Sequence, residues 1–297
     1  MFTGLSAFPI TPFKQESIDF NSFERIVSQL ANAKVDSICA MGSTGLYPYL
    51  NLSERAEIVK QCVSISGDIP VMSGIGALRT KDVLLHAEAA QRAGARALLL
   101  APVSYHPLTE NEVFSLYETV CNAISVPLCI YENPRVTQFT FSDELYSAVT
   151  RLPNVGAIKI PGTPFESALG KERLSSLRKC VPDSVAIGVS ADKFAPAGMA
   201  AGCDMWLSVI GGLFPQTAQS ILQAIANGNV SQGLQEAENL TPLWTLFENN
   251  NGGMRVMATA AAILGYAETP CLPQPLLPLN KRNTAQLEQL LSQWDLK

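Results

Sequence analysis

A single lysine ends an apolar, β-branched run in Val155-Gly156-Ala157-Ile158-Lys159-Ile160, and Pro161 and Gly162 follow at once. The pattern reads as a buried strand that delivers one amine to its C-terminal end. A lysine there is costly unless it is paired, exposed or used. Desolvation disfavours the ammonium form of any lysine, and the free amine is the form that attacks a ketone. The alternative is a structural lysine paired with a buried carboxylate such as Glu132. Tyr131 closes a second apolar run, Leu128-Cys129-Ile130, and Glu132-Asn133-Pro134 follow it. A phenol in that place could relay protons, or it could only pack and hydrogen-bond. In Gly42-Ser43-Thr44-Gly45 two glycines flank two hydroxyls. The backbone N–H groups of such a turn can hold a carboxylate or phosphate; the same residues also make an ordinary Gly-rich turn. Gly188, near the end of another apolar run, would let a ligand approach the backbone. An amine, a phenol, a hydroxyl pair and an N–H nest suit Schiff-base chemistry on a 2-keto acid. Lys159 would form the imine, the turn would hold the carboxylate, and Tyr131 would move protons.

Other chemistries fit the residues poorly. The two histidines are His86, in a helical stretch, and His106, in a loop, with no HxH or HExxH around them. A catalytic zinc site is therefore not expected. No P-loop, no GxGxxG after the first strand and no GxSxG elbow occurs. The imine reading needs neither metal nor cofactor. A net charge of −5 without a long Lys/Arg run disfavours nucleic acid or an anionic membrane as partner. The N-terminus lacks a basic segment followed by an apolar one, and the longest apolar stretches are too short to span a bilayer. Cys39, Cys62, Cys121, Cys129, Cys180, Cys203 and Cys271 are odd in number and form no CxxC. They read as reduced thiols of a cytoplasmic protein.

These groups must be positioned by strands. Short apolar runs recur at Gly4 to Phe8, Ser37 to Met41, Pro70 to Gly74, Ala97 to Ala101, Pro127 to Tyr131, Gly156 to Ile160, Val185 to Val189 and Asp204 to Val209. Most lie about 30 residues apart, the length of one βα unit. The stretches between them look helical. Thr109-Glu110-Asn111-Glu112 is a capping box ahead of a helix toward Ile124. Thr80 opens a helical stretch that stops at Gly94, and Ser53 and Ser142 are candidate caps for two more. Eight such units predict a (β/α)8 TIM barrel over 1–229, with a doubly wound sheet as the competing fold. Helical patterns at Pro215 to Ala226, Val230 to Phe247, Gly253 to Leu264 and Thr284 to Trp294 place a C-terminal α-helical extension at 230–297. The prolines of Cys271 to Pro278 require an extended connector.

The chain resembles the dihydrodipicolinate synthase and N-acetylneuraminate lyase family over essentially its whole length. The resemblance is carried by Gly4-Leu5-Ser6-Ala7-Phe8-Pro9-Ile10-Thr11-Pro12-Phe13, Gly42-Ser43-Thr44-Gly45, Tyr131-Glu132-Asn133-Pro134, Ala157-Ile158-Lys159 and Gly202-Cys203-Asp204-Met205-Trp206-Leu207-Ser208, in that order. It implies a class I lyase or aldolase acting on pyruvate or a related 2-keto acid with an aldehyde partner, built as a homotetramer, a dimer of dimers. It implies Lys159 as Schiff-base residue and Tyr131 as proton donor and acceptor. Ser43 and Thr44 would bind the carboxylate, Thr44 also serving the relay, while Gly188 and Leu207 would line the site. The chain departs from the synthases at three places. Ser104 stands where they carry the second Tyr of Pro-Tyr-Tyr, with Tyr105 as a substitute from a different backbone position. Val136 stands where they carry an Arg, with Arg135 one residue earlier, and Leu46 replaces a Glu. These changes spare the imine residues and alter the pocket for the second substrate. The runner-up within the enzyme class is the 4-hydroxy-tetrahydrodipicolinate (dihydrodipicolinate) synthase of lysine biosynthesis. Outside it stand a metal-dependent aldolase on the same barrel and a non-catalytic family member that binds a keto acid.

Overall fold

The structure is a computed structural model and describes residues 1–294 and 296. Eight parallel strands close into a barrel: β1 (Gly4–Ala7), β2 (Ser37–Cys39), β3 (Val71–Gly74), β4 (Ala97–Leu100), β5 (Leu128–Tyr131), β6 (Val155–Ile160), β7 (Ala186–Val189) and β8 (Met205–Ser208). Each pairs with its sequence neighbours, and β1 closes the ring between β2 and β8. The helices that follow the strands are α1 (Phe20–Ala33), α2 (Leu52–Ser66), α3 (Thr80–Arg92), α4 (Glu110–Ala123), α5 (Asp143–Val149), α6 (Leu169–Cys180), α7 (Ala195–Ala201) and α8 (Pro215–Ala226). The expected barrel is present, and the doubly wound alternative is excluded by its closure. A two-residue hairpin, Phe13–Lys14 with Ser17–Ile18, follows β1.

Both faces of every barrel strand are buried, which is why the strands read as continuous apolar runs. Alternation divides their side chains between two cores. Leu128, Ile130, Ile158, Ile160 and Trp206 face the helices. Cys129, Tyr131, Ala157, Met205 and Leu207 face the barrel interior, where Phe8, Cys39, Met72 and Leu99 join them.

Helix starts follow local chemistry, with three corrections. Thr109 and Glu112 form the expected capping box, and the Ser142 side chain accepts from Leu145 N. Ser53 is not a cap: Asn51 caps α2 in a capping box with Glu54, and Ser53 Oγ donates to Asn51 Oδ1 at 2.7 Å. The expected single helix from Val230 is two, α9 (Val230–Glu238) and α10 (Thr241–Asn249). Pro242 has no N–H to continue the ladder, and Thr241 Oγ1 takes the Glu238 carbonyl at 2.6 Å. Helices α11 (Gly253–Ile263) and α12 (Lys281–Gln293) complete the chain, the latter starting at Asn280 rather than near Thr284. Residues 271–278 carry no helix.

Close packing at the strand ends leaves some positions without room for a side chain. A Cβ on Gly74 would lie 1.8 Å from the Met41 carbonyl oxygen, a backbone atom that cannot swing aside. Gly74→Ala should therefore lower the unfolding free energy by about 3 kcal/mol. Chemical denaturation with an unchanged midpoint would contradict this.

Candidate active site

Sheet register puts three of the expected residues on one level. Tyr131 of β5 is the direct neighbour of Lys159 of β6, and Lys159 that of Gly188 of β7. Lys159 points inward with Ala157 and is only 3% exposed. Its Nζ lies over the Phe8 ring at 3.9 Å to the centroid and over the Tyr131 ring at 4.1 Å. The pairing with Glu132 is not formed. Glu132 follows the inward-facing Tyr131, so it faces the helix layer, where it accepts from Tyr146 Oη at 2.7 Å and Phe141 N at 3.0 Å. Burial raises the Glu132 pKa, against those hydrogen bonds and Arg173. Among the described residues no carboxylate pairs with Lys159. Burying an amine without a carboxylate partner is unfavourable, and the two rings offset part of that.

Tyr131 is buried, with its Oη 2.9 Å from Asn133 Nδ2, which donates to it, and 3.4 Å from Ser43 Oγ. Ser43, rather than Thr44, is the hydroxyl within reach of the phenol. Thr44 is buried in the same turn, and Thr11 Oγ1 fixes that turn by donating to the Gly45 carbonyl at 2.8 Å. Among the described residues the backbone N–H groups of Ser43, Thr44 and Gly45 find no protein acceptor, as an anion-holding turn requires. Asn133 and Phe8 were not singled out from the sequence. Each lies two residues beyond an inward-facing one, Tyr131 and Ser6, so extending the strand alternation past the strand ends would have found them.

Gly188 serves packing as much as access. A Cβ there would lie 2.4 Å from Leu207 Cδ1 and 2.7 Å from Met205 Cγ. Leu207 faces the barrel interior. Tyr105 is 86% exposed, edge-on to His106, and does not enter this chain's own barrel. The thiols nearest the lysine are inert: burial pushes Cys39 up to about 12 despite Lys159, and raises Cys129 in the same way. All seven cysteines are free. Among the described residues, no three His, Cys, Asp or Glu side chains are grouped to hold a metal ion, and no helix is long and apolar enough to cross a membrane.

Beside the Ser43 turn lies a cavity of about 410 Å³, lined by Tyr47, Arg55, Gly76, Asp82, His86 and Val103 among others. Arg55 is 5% exposed. It donates to the carbonyls of Leu50 at 3.2 Å and Gly76 at 3.0 Å, beneath the Tyr47 ring. Burial lowers its pKa to about 10. His86 is half-buried at this cavity: burial and then Arg55 depress its pKa to about 4, and Nδ1 has no partner among the described residues.

Comparison with known proteins gives one consistent result. The model of the dihydrodipicolinate synthetase family matches residues 1–294. A 4-hydroxy-tetrahydrodipicolinate synthase of Rickettsia typhi is 27% identical over 299 residues, covering 100% of this chain and 99% of the relative. One from Nitrobacter hamburgensis is 29% identical over 82% of this chain and 80% of its own length. Among solved structures, a dihydrodipicolinate synthase of Agrobacterium tumefaciens superposes with a TM-score of 0.93 at 40% identity, covering 98% of this chain and 97% of that one. A dihydrodipicolinate synthase of Aquifex aeolicus shares the fold, with a TM-score of 0.89 at 22% identity over 100% of this chain and 99% of that one.

Two stability outcomes follow from these geometries. Lys159→Met keeps the side-chain volume and removes a buried amine that has no carboxylate partner, so it should raise the unfolding free energy by about 1–3 kcal/mol. A lower denaturation midpoint would contradict that. His86 is neutral in the fold well below the usual histidine range, whereas the unfolded chain protonates it near pH 6.5. Its contribution is complete above pH 6.5 and is lost as pH falls toward about 4. His86→Gln should flatten the stability profile in that window by on the order of 2 kcal/mol, as followed by denaturation across pH.

Proposed function

The chain belongs to the dihydrodipicolinate synthetase family, whose members are carbon–carbon lyases of aldolase type, and on that premise we propose a Schiff-base-forming lyase. It acts on pyruvate or a related 2-keto acid and makes or breaks a C–C bond with an aldehyde. One observation carries the reading: Lys159 is buried at the rim of the barrel, without a carboxylate partner and beside Tyr131. The Lys159 amine adds to the ketone, water leaves, and the resulting iminium is an electron sink for cleavage or formation of the bond at the adjacent carbon. Tyr131, with Ser43 as the hydroxyl within its reach, moves protons during imine formation and release. The N–H groups of Ser43 to Gly45 take the keto-acid carboxylate, and Gly188 and Leu207 shape the wall beside it.

The lysine-pathway synthase itself is a second reading, favoured by the curated relatives. Ser104 and Val136 count against it, because they change exposed loop positions on the side that would meet the second substrate, whereas Leu46 is buried in the fold. The exposed apolar residues Leu52, Leu78 and Leu85 lie together around one cavity, and such a surface supports the homotetramer that the family resemblance implies. Seven free thiols fit a reducing, cytoplasmic setting.

The protein is incubated with pyruvate, reduced with borohydride and mapped by mass spectrometry, and an adduct should form on Lys159. Lys159→Ala should abolish turnover, and Tyr131→Phe should slow it by about 10²–10⁴-fold. Near-full activity of Lys159→Ala, or an adduct on another lysine, would rule the reading out.

A further inference from the structure

We infer that Asn133 is a positioning residue for proton transfer by Tyr131. The inference rests on imine chemistry at Lys159. Among the described residues the Tyr131 phenol has two hydrogen-bond partners, Asn133 Nδ2 at 2.9 Å and Ser43 Oγ at 3.4 Å. The first is an ordinary hydrogen bond and the second is long. Asn133 is held by its own backbone. Its carbonyl accepts from Val136 N at 2.9 Å, Thr137 N at 2.9 Å and Thr137 Oγ1 at 3.0 Å, and Pro134 opens the helical turn Pro134–Thr137. Two residues beyond Tyr131, its side chain returns to the same side of the chain.

The chemistry assigns the amide a distinct part. In the dehydration step the carbinolamine on Lys159 loses its hydroxyl. The phenol proton passes to that hydroxyl, the C–O bond breaks, and the nitrogen lone pair forms the C=N bond. Water and a phenolate are left, and the phenol is restored when a proton returns. An amide N–H can only donate to the phenol oxygen. It turns the phenol O–H away from itself, toward Ser43 or the substrate, and it holds the negative charge once the proton has gone. Asn133 itself neither gains nor loses a proton, unlike the hydroxyls of Ser43 and Thr44, which could relay one.

The test is rapid mixing with pyruvate, quenching with borohydride, and counting of the Lys159 adduct against time. Asn133→Ala should lower the maximal rate of adduct formation by about 10- to 100-fold, the range for a lost hydrogen bond to a charged oxygen. Asn133→Asp keeps the shape and removes the donor, so it should lose at least as much. The pyruvate concentration at half-maximal rate and the melting temperature should change little. In a Tyr131→Phe background, Asn133→Ala should cost less than about twofold, because the two residues act as one unit. Equal losses in both backgrounds, or a wild-type rate in Asn133→Asp, would overturn the role of Asn133 and leave Lys159 untouched. A wild-type protein that forms no adduct would overturn the Lys159 reading and this inference with it.

Discussion

Closure of the parallel sheet is the constraint on which both the fold and the site depend. A strand buried on two faces must send alternate residues into two different cores. β6 sends Ile158 and Ile160 to the helices and Ala157 and Lys159 to the interior. Lateral hydrogen bonds then fix the level at which Lys159 meets Tyr131 on one side and Gly188 on the other. A one-residue slip of β6 would place an isoleucine in the barrel and the amine among apolar helix faces. The core packing and the chemistry are therefore specified by the same register, and neither can drift without the other.

The distribution of carboxylates completes that arrangement. Asp192, in the loop after β7, accepts from Trp206 Nε1 at 2.8 Å, Ile210 N at 2.7 Å and Val209 N at 3.1 Å. Asp204, ahead of β8, accepts from Ile187 N at 2.6 Å and pairs with Arg178. Glu132 joins the end of β5 to Phe141 and α5. Each of these carboxyl groups ties a loop or helix to the sheet from outside the barrel. Among the described residues the interior cluster is made of rings, thiols and aliphatic and thioether side chains, with the Lys159 amine over two of the rings. An internal carboxylate would have repaid much of the cost of burying Lys159, but it would also have engaged the amine in an ion pair.

Much of this was legible in the sequence, because the strands are short apolar runs and the caps are local. Thr109-Glu110-Asn111-Glu112 specifies its own hydrogen bonds without reference to the rest of the chain. Asn51 and Ser53 can both cap, and the choice fell to Asn51 because Glu54 lies three residues after it. The break between α9 and α10 was hidden by apolar spacing that continues through Pro242. The supposed Lys159–Glu132 pair failed on period-2 geometry that the sequence already held: if Tyr131 faces inward, its neighbour cannot. The Arg55–Tyr47–His86 cluster was not legible, since residues from three separate segments meet only in the folded chain.

The departures from the synthase pattern separate along the same line. Leu46 is buried in left-handed backbone with φ 62°, so it serves packing and does not face a substrate. Val136 is 57% exposed on the turn after β5, and Ser104 is half-buried beside the exposed Tyr105. None of the three lies on a barrel strand. Strand positions are constrained by two cores and by register, so a change at Lys159 or Tyr131 is felt throughout the barrel. Loop positions carry few such constraints, and exposed substitutions there cost only about 0.5 kcal/mol. The half of the site that holds the amine is therefore tied to the fold. The βα loops at the mouth of the barrel are free to vary over the same strands.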